Sequence, residues 1–418
     1  MSIATKESMK ISILTISALV YMSVFSMDNS HFYRASYFNG EPRFAKNGLF
    51  SGDITIGGGK TCTARNNCGK KIPLLDLYGP QKLQFLGENV PSLDENNNLD
   101  ALLIALMNNP KSPDFATLSV GGHFHIVEQN ISLYQNFCHG FFVHAYLPFR
   151  ELTLNTIKIH DCTSQPTAAW RNFLQNFDAI LARYNLRIKS FSKQGMGDLS
   201  LLAGWTINHE ETEYLDFVDV SLQTGILVPT GKKKSRKNIL DIPLGYNGHY
   251  ALPLIIDASL GLYEWLTLGA HGDCLIFFNR NACNHIKTSN QTNGFIKLAT
   301  APTRVSSGTL SNFGLYVKAD HFMSGASLLI GYNYSRKNRD TLAPLTSGIN
   351  WCYAQSDATL RGWRMHTLNL IAEYDFATET HPAAPRIGFI YNGVLAGKRV
   401  FTTSIFGGYL GLDFAWCF

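Results

Sequence analysis

The chain is short of charge. Asp, Glu, Lys and Arg make up 16% of its 418 residues, against about 25% in ordinary soluble domains. Its formal charge of +5 is too weak to argue for nucleic acid. Beyond the N-terminus there is no uninterrupted apolar run of the roughly 18 residues that mark a membrane-spanning helix, so helical spans are excluded. No pair of CxxC motifs occurs, which argues against a structural zinc site, and no GxSxG elbow occurs, which argues against an α/β-hydrolase nucleophile. Internal repeats are absent beyond a rhythm of hairpins. Aromatics (12%) and glycine (35 residues) are plentiful instead.

The two ends of the chain are informative. Met9-Lys10 precedes an apolar run from Ile11 to Ser26 with small residues at its close. That pattern predicts a secretory signal peptide over residues 1–26, and the run is shorter than the roughly 20 residues of a spanning helix. At the C-terminus Leu410, Leu412, Phe414, Trp416 and Phe418 form one apolar row, while Tyr409, Gly411, Asp413, Ala415 and Cys417 form a smaller, more polar one. A strict period of two is a strand with two unlike faces. Leu412, Phe414, Trp416 and the terminal Phe418 resemble the closing-strand signal of Gram-negative outer-membrane proteins.

Eleven further alternating segments precede this one. They lie near 53–56, 117–126, 140–149, 198–207, 218–228, 256–262, 266–273, 313–320, 327–334, 367–376 and 386–397. Their apolar rows recur for about the 9–11 residues that a tilted strand needs to cross a bilayer. The even total lets both chain ends lie on one side. Short links fall near 130–137, 209–214, 264–265, 324–325 and 377–385, assigned to the periplasm. Long ones fall near 60–113, 151–195, 230–250, 279–308 and 337–361, assigned to the outside. The expectation is an all-β fold: an antiparallel transmembrane β-barrel of about twelve strands over 49–418, with 27–48 as a periplasmic or hatch segment. A soluble sandwich of short strands is the competing architecture.

Two long loops carry helical patterns. Trp170, Phe173, Leu174, Phe177, Ile180 and Leu181 make an i, i+3, i+4, i+7 stripe over 168–185, and 99–107 reads as a second short helix. Both a plug within the barrel and a cap on its outer rim fit that stripe. Eight cysteines in an exported chain meet an oxidising compartment, and Cys62–Cys68 and Cys274–Cys283 are the pairs near enough in sequence to staple loops.

The alternation sets Asp53, Asp198, Asp219, Asp257, Asp273, Asp320, Glu373, Asp375 and Asp413 on the inward rows, with Lys318 as a lone strong base and His123, His125, His144 and His271 beside them. Of these, Asp198, Asp219, Asp257, Asp273, Lys318, Asp320, Glu373 and Asp375 are the lumen-lining candidates. Such a lumen favours cations and neutral solutes, because like charges in a narrow pore focus their field. Histidines hydrogen-bonded to neighbours are commoner than metal ligands, so no metal or other cofactor is expected. Lys232-Lys233-Lys234-Ser235-Arg236-Lys237 is the strongest charge run; a solvated loop tip and an anion-facing patch both fit it. Ser311-Asn312 lacks the preceding His of outer-membrane phospholipases. Asp320 and His321 are adjacent in a strand, so they point to opposite faces. No catalytic array emerges.

Gly195-Met196-Gly197-Asp198-Leu199 and Val228-Pro229-Thr230-Gly231 carry a further resemblance. A Gly-x-Gly-Asp strand start followed by a strand ending Pro-Thr-Gly is similar to outer-membrane transporters of aromatic and other hydrophobic compounds, in the fatty-acid channel superfamily. The match covers about residues 140–270, and it implies a passive channel with an N-terminal hatch. The inserted helix, the basic loop and the cysteine count depart from that family, so no binding residue is carried over. The function expected is an outer-membrane channel for passive passage of small solutes through a polar, carboxylate-rich lumen. The alternative is a closed or plugged barrel acting in display or adhesion through its outer loops. The partners expected are outer-membrane lipid, the barrel-assembly machinery through the C-terminal strand, and small solutes, with no nucleic acid. Self-association is compatible with the sequence and not demanded by it.

Overall fold

Within the described residues, each of the alternating segments falls on a strand. The computed structural model describes residues 49–415 except 89, 91–92, 109–113, 211–214, 264, 288–293, 324, 347–349 and 377–384. The signal segment 1–26, the segment 27–48, and Trp416 and Phe418 of the closing signal lie outside the described residues. The wall strands are β1 (Leu49–Thr61), β2 (Thr117–Asn136), β3 (Phe141–Asp161), β4 (Leu199–Glu210), β5 (Phe217–Val228) and β6 (Ala251–Leu262), then β7 (Leu266–Phe277), β8 (Leu310–Met323), β9 (Ala326–Lys337), β10 (Trp363–Asp375), β11 (Pro385–Lys398) and β12 (Ile405–Ala415).

Each strand pairs antiparallel with the next, and β1 closes on β12 from Leu49 opposite Ala415 to Gly58 opposite Phe406. The result is a closed barrel of 12 strands. Closure leaves no unpaired edge, which is the condition for crossing lipid with strands. One end carries only short turns. The other carries the long links 62–116, 162–198, 229–250, 278–309 and 338–362 and a short one at 399–404.

The first short link differs from expectation. Residues 130–136 are still strand, and the turn is 137–140, with His139 and Gly140 at positive φ. β2 and β3 are therefore 20 and 21 residues long, and their upper halves stand beyond the rest of the wall. This reverses the face read for 117–126. Leu118, Val120, Phe124 and Ile126 are buried, whereas His123 and His125 are exposed. The apolar row belongs to an overhang whose inner face packs protein, not lipid.

That overhang holds a cap. Helix α1 (Asn98–Met107) starts on Asn97, whose side chain accepts the amides of Leu99 and Asp100. The stripe over 168–185 folds as two helices, α2 (Ala168–Gln175) and α3 (Phe177–Arg183), because Asn176 leaves helical geometry at φ −103°, ψ 9°. Leu103 and Leu106 of α1, Trp170 and Phe173 of α2, and Ile180 and Leu181 of α3 join Leu118, Phe124, Ile126, Leu152 and Leu154 of the overhang in one buried cluster. Of the two placements the stripe allows, the structure takes the cap at the long-loop end.

Asp100 latches the cap. Fully buried, it accepts Arg183 Nε at 2.8 Å and Nη2 at 2.7 Å, and the Tyr184 hydroxyl at 3.0 Å. The hydrogen bonds from Arg183 hold its carboxyl below the ordinary range, against the opposing effect of burial. A lowered folded pKa contributes stability above the unfolded value of about 4 and loses it as pH falls through the folded value. The expected outcome is a change in near-ultraviolet circular dichroism below about pH 4, absent from Asp100→Asn.

The cysteine staples do not form. Cys62, Cys68, Cys162, Cys274, Cys283 and Cys352 are free. Cys68 lies in the turn of a small ribbon, 63–65 against 71–73, whose pairing holds it apart from Cys62 at the ribbon's base. Cys274 is in the wall itself, opposite Ser311 of β8, while Cys283 belongs to a hairpin (280–285 with 300–306) above it.

Candidate functional site: the barrel interior

The outward rows are apolar. Ile54 and Ile56 of β1, Leu222 and Ile226 of β5, Leu254 and Ile256 of β6, Phe313, Leu315 and Val317 of β8, Ile387 and Phe389 of β11, and Leu410, Leu412 and Phe414 of β12 are all more than a third exposed. Phe141, Tyr263, Trp265, Phe322, Tyr374 and Phe376 ring the short-turn end. A soluble monomer rarely exposes so large a continuous apolar surface; a belt with an aromatic rim is what lipid selects. The chain is a transmembrane β-barrel.

No family model matches this chain, and no curated protein does. Among solved structures it is similar to an outer-membrane channel from Pseudomonas putida F1 at 12% identity, over 90% of this chain and 98% of that one, with a TM-score of 0.49. It is also similar to a FadL homologue of Pseudomonas aeruginosa (9% identity, 88% of each chain, TM-score 0.29). A third is the Ralstonia pickettii toluene transporter TbuX (10% identity, 90% of each chain, TM-score 0.33). These likenesses are of barrel architecture alone.

The inward rows are mostly polar, interrupted by buried Phe142, Leu202, Leu329 and Ile390. Their polar residues include Ser51, Asp53 and Thr55 of β1, Asn130 and Ser132 of β2, Ser221 and Gln223 of β5, Asp257 and Ser259 of β6, Asn333 of β9, Thr367 and Asn369 of β10, and Asn392 of β11, all buried. Aromatic rings fill part of the space. Tyr316 of β8 lies on Gly269 of β7, and Tyr409 of β12 on Gly388 of β11, so closely that a Cβ at either glycine would collide with the ring.

The charges gather in three networks. Near the short-turn end Arg386 of β11 reaches Asp53 at 2.8 Å, Asp413 at 3.1 Å and Glu373 at 3.8 Å. Glu373 is shared with Lys318, at 3.3 Å, which also meets Asp320 at 3.2 Å. Ser327 donates to Asp320 at 2.7 Å. Asp375 faces Arg386 across the β10–β11 ladder. On the opposite wall His271 of β7 sits between two carboxylates, Asp257 across the ladder at Nδ1 and Asp273 at Nε2, 3.0 Å away. Filling both contacts takes both ring protons. Asn312 donates to the other oxygen of Asp273 at 2.6 Å. Asp219 is buried between Asn208 of β4 and Ser259 of β6. The third network lies toward the cap, where Arg150 meets Glu128 at 2.6 Å and Asn130 links Glu128 to Thr55.

Arg386, Arg150 and Glu128 were missed by the sequence reading. Arg386 was legible in principle, since Arg386 and Gly388 alternate with exposed Ile387 and Phe389. Arg150 continues the row of His144 and Tyr146. Glu128 fell between the segment read to Ile126 and the link read from 130. His144 pairs in register with Tyr134, not His123, and its Nε2 meets Ser132 at 2.8 Å. The three histidines therefore do not converge.

Asp198 stands apart from these networks. It precedes β4 at the long-loop end, and its carboxylate accepts the amides of Gly231, at 2.9 Å, and Tyr246. Thr230 donates to the Gly197 carbonyl at 2.6 Å and accepts the Leu199 amide at 3.1 Å. The Gly-x-Gly-Asp and Pro-Thr-Gly motifs thus meet in space, as a clamp on the 229–250 loop. Burial pushes the Asp198 carboxyl up, against these two amide donors. Asp198→Ala leaves both amides without their acceptor, a cost of about 2 kcal/mol. The expected outcome is faster trypsin cleavage within 232–237, with the wall still resistant.

Proposed function

We propose that the protein is an outer-membrane channel for passive passage of small solutes, with its short-turn end in the periplasm and its long loops outside. The observation that carries this reading is the separation of polar and apolar interiors. The largest apolar cluster lies under the cap, on the overhang of β2 and β3; a smaller one, with Leu227, Leu275, Phe277, Leu310 and Met365, lines the inner wall toward the long-loop end, and below it the inward rows are mostly polar. Water and small polar solutes can follow such a surface, and no reaction is required. Carboxylates outnumber bases there: Asp53, Asp413, Glu373, Asp375 and Asp320 gather around Arg386 and Lys318. The lumen-lining role belongs on this account to Asp219, Asp257, Asp273, Lys318, Asp320, Glu373 and Asp375. Asp198 serves the loop above them. The field of the excess carboxylates favours cations and neutral solutes over anions.

A closed barrel that presents its outer loops is the second reading. Its support is the filling of the interior: Asp257, His271, Lys318 and Arg386 are 4–7% exposed, and residues of the other long loops, such as Leu240 and Leu298, pack into the apolar cluster of the cap. Incorporation of the folded, purified protein into a planar bilayer separates the two. Steady conductance steps support passage; silence from inserted, folded protein supports the closed barrel.

A further inference from the structure

Four long-loop segments line a half-open cavity of about 250 Å³ above the wall. Its lining includes Lys233, Lys234 and Arg236 from the β5–β6 link, Arg280 and His285 from the hairpin after β7, and Lys297 from the same link. The two carboxylates in the lining are engaged. Asp357 is bonded to Lys297, and Asp340 lies 3.0 Å from Lys337.

The basic run is not a loose tip. Its backbone is held at every residue from 233 to 237. Lys193 Nζ donates to the Lys233 carbonyl at 3.2 Å, and Asn247 Oδ1 accepts the Lys234 amide at 3.0 Å. Asp241 accepts the Ser235 amide. His285 Nε2 meets the Arg236 carbonyl at 3.2 Å, and the Arg187 amide donates to the Lys237 carbonyl at 2.8 Å. Five like charges within six residues repel, and so many anchors for one short segment hold their side chains together at the cavity against that repulsion. Lys233 and Arg236 have no side-chain ion pair among the described residues. His285 Nδ1 is buried with no hydrogen-bond partner there.

We infer that this cavity is an anion site for a phosphoryl group. Lysine and arginine together supply point charge and planar donor pairs matched to phosphate oxygens, and the hydroxyl of a hydrogen phosphate supplies a donor for His285 Nδ1. The phosphoryl group reaches the site on a free solute or on a lipid headgroup of the surrounding leaflet. The site is independent of whether the lumen conducts, because it is built from loops alone.

The test is calorimetric titration of the detergent-folded full chain with inorganic phosphate at low salt. The expected result is saturable binding that weakens at least tenfold in Lys233→Gln/Arg236→Gln, two charge-assisted contacts being lost. Heat-modifiable migration on gels reports that the variant is folded. A charge-matched control, Lys60→Gln/Lys158→Gln, keeps wild-type affinity. Vesicles bearing lipopolysaccharide, added as competitor, separate the sources: displacement of phosphate assigns the site to lipid, and persistence assigns it to a soluble ligand. Absence of saturable binding to wild type overturns the inference, as does equal weakening in the control or undiminished binding in the folded double variant.

Discussion

Arg386→Ala destabilises the barrel by about 3–5 kcal/mol, the range for removing one partner of a buried ion pair. Arg386 is 4% exposed and touches Asp53, Asp413 and Glu373, three carboxylates from three different strands. Two of those strands, β1 and β12, form the closing seam of the barrel. Without the guanidinium the carboxylates repel one another in a confined space where water replaces only part of the lost charge. The readout is the temperature at which the heat-modifiable folded band disappears, which falls sharply. Asp53→Asn in the same background removes one of the uncompensated charges and recovers part of the loss. A variant as heat-resistant as wild type would mean that the seam does not depend on this network.

Trp170→Ala costs about 3–5 kcal/mol as well, and the loss falls on the cap, not the wall. Trp170 is fully buried, stacks on Phe173 at 5.4 Å between ring centroids and 13° between planes, and donates from its indole to Asp161 at 2.8 Å. Its cavity would open under α2, among the side chains that join the helices to the overhang of β2 and β3. The wall strands have their own hydrogen bonds and keep their heat resistance. Cleavage within 162–198 by added protease rises, and where the cap restricts the outer mouth, single-channel conductance rises with it. Trp170→Phe keeps most of the apolar volume and loses only the bond to Asp161, so it stays close to wild type. Loss of the heat-resistant band in Trp170→Ala would contradict the separation of cap and wall.

The barrel was legible because its signal is repetitive. Alternation of two faces, such as Leu254 and Ile256 against Asp257 and Ser259, recurs often enough that individual errors do not accumulate. Even the weak first segment, Asp53-Ile54-Thr55-Ile56, falls in β1 because Ile54 and Ile56 take the lipid face. Period two gives the two faces of a strand but not which face meets lipid. Where β2 rises past the belt, Leu118, Val120, Phe124 and Ile126 keep an apolar row for the cap, and alternation cannot tell that row from a lipid-facing one. Cysteine proximity misled for a related reason: six or nine residues of separation carry no information about a ribbon or a wall strand placed between the thiols. Acids were easier to place than bases, because Asp257 and Asp273 stand in regular strands while Arg386 opens a less regular one. That asymmetry made the inward face look more nearly all-acid than it is.

If an excess of carboxylates lines a conducting interior, as proposed, cations pass it more readily than anions. The reversal potential of the wild-type protein in a planar bilayer, under a potassium chloride gradient, tests this proposal most directly. The expected result is steady steps with a reversal potential on the cation-selective side, moving toward zero in Glu373→Gln/Asp375→Asn. A reversal potential on the anion-selective side would contradict the proposal, because the charge that governs passage would then be basic.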